Sequence, residues 1–291
     1  MNKLNNFFRL SQNIGSSPAY AQGAGGNISV KIGKKMYVKA SGCLLKDLKE
    51  NKGYIACDFE KVRQGLEEAS FAKSENDFNL WIQKNSFGDE SFGEASIEAG
   101  MHAVFDSEYV IHSHSVYANV FNCMEGGEKV LKEIFKGQDT LFVPYYNPGF
   151  NLALAIYRMS RKMELPQIIF LENHGVITHG HGDDKALNLH AEMNKTIENY
   201  LFNFNIGPFQ LLNKPIDFSK HLFPDSAVFS DVNLGEISEF KKTGYYEIAS
   251  AADYIIGGIK SIKGTPKFIN ESDVFYIKNM SKEKIRLKMV S

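Results

Sequence analysis

His112 and His114 lie two residues apart in Tyr109-Val110-Ile111-His112-Ser113-His114, a run that predicts a β-strand. A strand's period of two puts both imidazoles on one face, with Cα atoms ~6.6 Å apart from two rises of ~3.3 Å. Imidazoles at that spacing can converge on one metal ion, with Zn–N bonds of ~2.0–2.1 Å; the same spacing also suits two unrelated histidines. His174 stands in Asn173-His174-Gly175, just after the apolar run Ile168-Ile169-Phe170-Leu171. A glycine beside a histidine at a strand end suits close approach of backbone to a bound group. Glu98 lies near the start of a predicted helix that leads into the His112 strand, with Ser96 as its N-cap. One glutamate and three histidines make a closed four-ligand set, or an open three-ligand set if the glutamate swings away. Alternatively, Glu98 simply complements a helix N-terminus.

The remaining histidines carry less. His102 follows Glu98 by four and shares its helix face, where it either orients Glu98 or packs in the core. His179 and His181 flank Gly180, and with Gly182 and Asp183 they predict a surface turn. His190 and His221 belong to no pattern. The three cysteines, Cys43, Cys57 and Cys123, are too few for a disulfide framework and form no CxxC pair, which predicts the reducing cytoplasm. No GxGxxG occurs, so no nicotinamide cofactor is expected.

Positioning these groups requires a sheet. Ile28, Val30 and Ile32 alternate with polar neighbours, Gly33-Lys34-Lys35 turns the chain, and Met36 to Lys39 returns as a second strand, so the pair predicts a hairpin. Further strands are predicted at 109–114, 141–145, 168–171 and 176–178. Helices are predicted within 1–20, through much of 58–85, from Ser96 to Phe105, and over 116–124, 151–162 and 183–203. This mixture points to an α/β sheet with helices on both faces. Beyond Asn205, Pro208, Pro215 and Pro224 interrupt the chain. The division is therefore 1–205 as the metal-binding domain and 206–291 as an accessory region of roughly three short strands and a helix.

The 291 residues are 43% hydrophobic and 23% charged, enough apolar material for a sizeable core. With 33 basic and 34 acidic residues there is no basic field, so neither nucleic acid nor a membrane is an expected partner. No run of ~18 apolar residues exists to span a bilayer, and the start of the chain is too polar for a signal peptide.

Five segments in register carry a resemblance: GGNIS (Gly25 to Ser29), KASG (Lys39 to Gly42), SIEAGMH (Ser96 to His102), HSH (His112 to His114) and ENHGVIT (Glu172 to Thr178). Together, over about residues 5–205, they resemble the class II aldolase/adducin family, to which the fuculose- and rhamnulose-phosphate aldolases belong. VKASG and LFPDSAVF (Leu222 to Phe229) make the chain most similar to the aldolase half of bacterial rhamnulose-phosphate aldolase–dehydrogenase fusions. The resemblance implies a three-layer αβα sandwich with a central, mainly antiparallel or mixed sheet and a C-terminal extension. It implies Zn2+ on His112, His114 and His174, although Mn, Fe or Co suits the same donors. Glu98 would be a ligand in the resting site and an acid/base once substrate displaces it. Asn27, Ser41, Gly42 and Ser96 would bind the phosphate of a small-molecule sugar phosphate. Tyr145, with Tyr146 next in line, would serve the alkoxide from a neighbouring subunit or else pack in an interface, in a homo-oligomer, a cyclic tetramer with sites at subunit clefts.

The implied activity is a lyase: a metal-dependent aldolase cleaving a ketose 1-phosphate to dihydroxyacetone phosphate and an aldehyde through a metal-stabilised enediolate. The alternatives are a sugar-phosphate 4-epimerase, dehydratase or decarboxylase on the same metal site, or an adducin-like non-catalytic module. Glu98 favours the aldolase, and the three histidines disfavour the module. One departure is Ile97, where fuculose aldolase-like members carry a second serine. Lys31 or Lys39 offers compensating charge, unless both are simply solvated hairpin residues.

Overall fold

Apolar residues alternate along each strand, and the alternation sorts them onto two faces of one sheet. The computed structural model describes residues 2–68, 74–212, 214–216, 219–235 and 238–280. Its strands are β1 (Asn27–Ile32), β2 (Lys35–Lys39), β3 (Tyr54–Asp58), β4 (Tyr109–Ser113), β5 (Thr140–Val143), β6 (Ile168–Leu171) and β7 (Gly175–Gly180). They form a seven-stranded sheet in the order β3-β2-β1-β4-β7-β6-β5, antiparallel except for the parallel β5–β6 pair. The predicted hairpin is β1–β2, with Ser29 opposite Val38.

The helices are α1 (Lys3–Gly15), α2 (Phe59–Glu67), α3 (Glu75–Lys84), α4 (Ala99–Val104), α5 (Val116–Asn122), α6 (Gly127–Ile134), α7 (Phe150–Ser160), α8 (Asp183–Phe202), α9 (Pro224–Phe229), α10 (Glu239–Ser261) and α11 (Glu271–Asn279). The helical stretch expected over 58–85 is α2 and α3; residues 69–73 between them lie outside the described residues.

One sheet face presents Met36, Val38, Ile55, Val110, Ile169 and Ile177 to α2, α3, α4 and α7. The other presents Ile28, Val30, Tyr37, Tyr109 and Ile111 to α1, and Ile168, Phe170 and Val176 to α5, α8 and α10. The result is the expected three-layer αβα sandwich. Strand parity then fixes the site. His112 shares the side of Val110, which faces α4 and so Glu98. Ser113 points the other way and hydrogen-bonds His190 of α8 at 2.8 Å.

The region after Asn205 differs from expectation. Its described residues form three helices, α9, α10 and α11, and no strand. Tyr245, Ile248, Ala252, Ile255 and Ile259 are buried at helical spacing along α10, in a region expected to hold roughly three short strands and a single helix. They share one apolar cluster with Val120 and Phe121 of α5 and Phe170 and Val176 of the sheet. Residues 281–291 lie outside the described residues.

His179 also corrects the expected surface turn. It lies in β7 opposite Val110, is buried, and hydrogen-bonds Ser107 Oγ at 2.8 Å and the Pro166 carbonyl at 3.0 Å. The strand continues to Gly180, so only His181 reaches the exposed turn. No helix among the described residues is long and apolar enough to cross a membrane.

Candidate metal centre

Three imidazoles and one carboxylate converge where the end of β4, the β6–β7 turn and the start of α4 meet. One ligand-type atom from each of Glu98, His112, His114 and His174 lies within 4.8 Å of all the others. The ring centroids are 5.1 Å apart for His112–His114, 4.9 Å for His112–His174 and 5.2 Å for His114–His174. Glu98 Oε1 is 3.2 Å from His112 Nε2 and 3.6 Å from His174 Nε2. All three rings are almost wholly buried.

Backbone and side-chain partners fix two of the rings. The Val176 carbonyl can only accept, so the 3.1 Å contact makes His112 Nδ1 the donor. Asp225 Oδ2 lies 2.8 Å from His114 Nδ1 and makes that nitrogen a donor too. In each neutral ring the lone pair then sits on Nε2. Both Nε2 atoms are buried without a hydrogen bond, as is His174 Nδ1. Buried nitrogens left unpaired are costly unless something binds them. The donor set, three imidazoles and a carboxylate, fits a divalent ion such as Zn2+, and equally Mn, Fe or Co.

The turn that carries His174 is held tightly. Asn173 adopts a left-handed backbone (φ 52°). Asn119 and Asn122 of α5 donate to the carbonyls of His174 and Gly175 at 3.1 and 2.9 Å. Gly175 admits no side chain, since a Cβ there would sit 2.3 Å from the Ser113 carbonyl.

Electrostatics keep the set ready for a cation. Burial alone would raise the Glu98 carboxyl, but His112, His174 and His114 outweigh it and hold Glu98 well below the usual carboxylate range. Burial pushes His174 down to about 4 against its contact with Glu98, so the ring is neutral near pH 7. His102, expected either to orient Glu98 or to pack, is fully buried and bonds Ser29 Oγ at 2.9 Å.

The neighbouring cavity is lined by Ser41, Gly42, Ser96, Ile97 and Lys39, together with Glu98, His114 and His174. Ser96 is not the helix N-cap: α4 begins at Ala99 with Glu98 in that position. Its hydroxyl instead accepts from the Glu98 N–H at 3.2 Å, one turn earlier. Asn27 is fully buried and outside that lining, its amide 3.5 Å from the Lys39 carbonyl.

Neither hairpin lysine is solvated. Lys39 Nζ donates to the Ala24 and Cys43 carbonyls at 2.8 and 3.1 Å and borders the cavity. Lys31 Nζ donates to the carbonyls of His102 and Ser107 and is absent from the cavity lining. Tyr145 lines a separate cleft with Tyr146, Asn147, Arg158 and Asp273; its hydroxyl reaches Asn147 at 3.2 Å. Sequence reasoning missed Asp225, 111 positions from its partner His114.

Comparison with known proteins identifies the family and the fold. The model of the class II aldolase and adducin N-terminal domain matches residues 8–201. An "uncharacterized oxidoreductase", YuxG of Bacillus subtilis, is 24% identical over 197 residues; the alignment takes in 65% of this chain and 28% of that protein. The chain thus spans little more than a quarter of that curated relative. The N-terminal class II aldolase domain of a conserved Thermoplasma acidophilum protein has a similar structure: TM-score 0.59, 22% identity, 67% of this chain and 92% of the other. YgbL of Klebsiella pneumoniae gives a TM-score of 0.51 at 19% identity, over 69% of this chain and 88% of the other. These likenesses extend to the fold.

Proposed function

This chain belongs to the class II aldolase and adducin family, and from that premise we propose that it is a metal-dependent aldehyde-lyase. The reaction is cleavage of a ketose 1-phosphate into dihydroxyacetone phosphate and an aldehyde. One observation carries the reading: three buried imidazoles and Glu98 converge with two Nε2 atoms left without hydrogen bonds. His112, His114 and His174, with Glu98 in the resting site, would hold the ion. When bound, a divalent ion supplies Lewis-acid stabilisation of negative charge on substrate oxygens, worth several kcal/mol, about tenfold in rate per 1.36 kcal/mol.

The chain's own groups do the rest. Cleavage removes a proton from the hydroxyl that becomes the aldehyde and returns one to the carbon beside the ketone. In the condensation direction Glu98, ionised and facing the cavity, would take the proton from that carbon; in cleavage the protonated carboxyl returns it. Within one chain Tyr145 lies in a different cleft, so its service to the hydroxyl oxygen would come from a second copy, in a tetramer with sites between subunits. Ser41, Gly42 and Ser96 face the cavity as donors for the phosphate and Lys39 adds positive charge, whereas Asn27, the fourth expected donor, is absent from the cavity lining. Ile97 replaces a donor with hydrocarbon on that wall. That favours a second reading, in which the same metal site acts on an unphosphorylated substrate as an epimerase, dehydratase or decarboxylase.

The test begins with metal content by emission spectroscopy. Fuculose- and rhamnulose-1-phosphate are then incubated with the protein, and released dihydroxyacetone phosphate is assayed with and without chelator. Chelator-sensitive release supports the lyase. Bound metal without cleavage of any ketose phosphate moves the assignment to the second reading, and absence of bound metal removes both.

A further inference from the structure

Asp225 stands outside the segment that matches the family model, on α9, yet it touches a residue of the metal centre. Its Oδ2 is 2.8 Å from His114 Nδ1, and both side chains are almost wholly buried. The chain makes room for this pair. A Cβ on Gly25 would lie 2.6 Å from His114 Nδ1 and 2.7 Å from Asp225 Oδ2, so only glycine lets the loop pass over the contact.

The same C-terminal region grips the site at two more places. Asn173, next to His174, donates through Nδ2 to the carbonyls of Leu222 and Lys267, each at 2.8 Å. Glu247 of α10 accepts from the Gly23 N–H at 2.7 Å and so holds the start of the glycine-rich loop. None of these partners lies within residues 8–201, and each reaches a segment that bears or borders a metal-ligand candidate.

We propose that Asp225 is a positioning residue for the metal centre, locking the His114 ring with Nε2 toward the other ligands and making the C-terminal region part of the site. The physical reason is general. A carboxylate on the far nitrogen of a ligating imidazole fixes its tautomer and rotation and raises its basicity, and losing it costs 10–100-fold in metal affinity. The inference rests on the metal-site reading above but not on the reaction assigned to it.

The experiment uses the full chain and Zn2+ alone. Zinc affinity is measured by competition with a chromogenic chelator for wild type, Asp225→Asn, Asp225→Ala and Asp231→Asn. Asp231 pairs with Lys278 in the same region, far from the ligands in sequence, and so reports C-terminal packing alone. Asp225→Asn is expected to weaken zinc binding about 10–100-fold and to alter the visible absorption of the Co2+-loaded protein, while Asp231→Asn matches wild type. Equal affinity and an unchanged Co2+ spectrum for Asp225→Asn overturn the proposal. So does a loss no larger than that of Asp231→Asn. A second measurement needs no variant: zinc added to wild type should slow amide hydrogen exchange in 222–229, and unchanged exchange there counts against the coupling. If wild type binds no zinc, the metal-site reading fails together with this one; if it binds zinc but cleaves nothing, only the lyase assignment fails.

Discussion

Glu98 owes its ionised state to the imidazoles around it. A carboxylate at that depth loses water, and the surrounding histidines, His112 first, outweigh that cost. Glu98→Gln removes the charge and keeps the volume. Its kcat on a cleaved substrate should fall 10²–10⁴-fold, the usual worth of a general acid–base group, while the melting temperature of the metal-free protein stays within a few degrees of wild type. Unchanged turnover in steady-state assays would strip Glu98 of its proton-transfer role. Lys39 gives a companion test. Lys39→Met should raise KM for a phosphorylated substrate at least tenfold and change kcat less, because the ammonium borders the cavity beyond the metal ligands. A KM that does not move would place the anion elsewhere. The four ligand candidates were legible in the sequence through the five segments in register that carry the family resemblance, because the spacing of His112 and His114 alone also suits two unrelated histidines. The burial of Lys39 was not. It depends on the Ala24 and Cys43 carbonyls that accept from its ammonium, and no side-chain pattern records where a carbonyl points.

At the scale of elements, loops and strand ends aim the ligands, and the tightest of them should be least tolerant of change. Gly25→Ala drives a methyl between His114 and Asp225, at 2.6 and 2.7 Å from their polar atoms. Zinc affinity should drop at least tenfold, as for loss of an outer hydrogen bond to a ligand. Gly88→Ala, where a Cβ meets nothing within 4 Å, is the matched control and should leave zinc binding unchanged. Chelator competition on both variants checks the pair, and wild-type affinity in Gly25→Ala would show that the loop yields without moving the ring. The sheet was readable because alternation is a short-range signal: Ile28, Val30 and Ile32 or Met36 and Val38 declare their face within a few residues. Of the three short strands and a helix expected in the C-terminal region, the strands are absent among the described residues; GYYEIASAADYIIGGIKS is apolar nearly all round and hides its 3.6-residue period. That α9 would place Asp225 on His114 depends on α10 packing against α5, a long-range contact that periodicity does not encode.

For the whole molecule, buried titratable groups outside the metal ligands set how stability responds to pH. Burial pushes His179 down to about 4 and His190 to about 3, against an ordinary histidine value of 6.5. Between those values the unfolded chain binds protons that the folded one refuses, so stability falls as pH drops through the window. Near pH 5 the difference approaches two protons, a slope of roughly 3 kcal/mol per pH unit. Lys31 extends the trend upward. Burial lowers it to about 7 from 10.5, so the unfolded chain again holds the extra proton between those values and stability rises with pH across them. Above pH 10 the sign reverses. Tyr109 and Tyr117 are pushed up to about 12 by burial, and the unfolded chain loses phenolic protons that the fold retains. Urea unfolding of the metal-stripped protein from pH 4 to 11 should therefore trace a steep acid limb, a gentler rise past neutrality and a decline above 10. In His190→Asn the acid limb should shallow by about one proton, roughly half its slope around pH 5. An acid limb of unchanged slope in that variant would mean that His190 takes up its proton inside the fold, with Ser113 Oγ accepting from the charged ring.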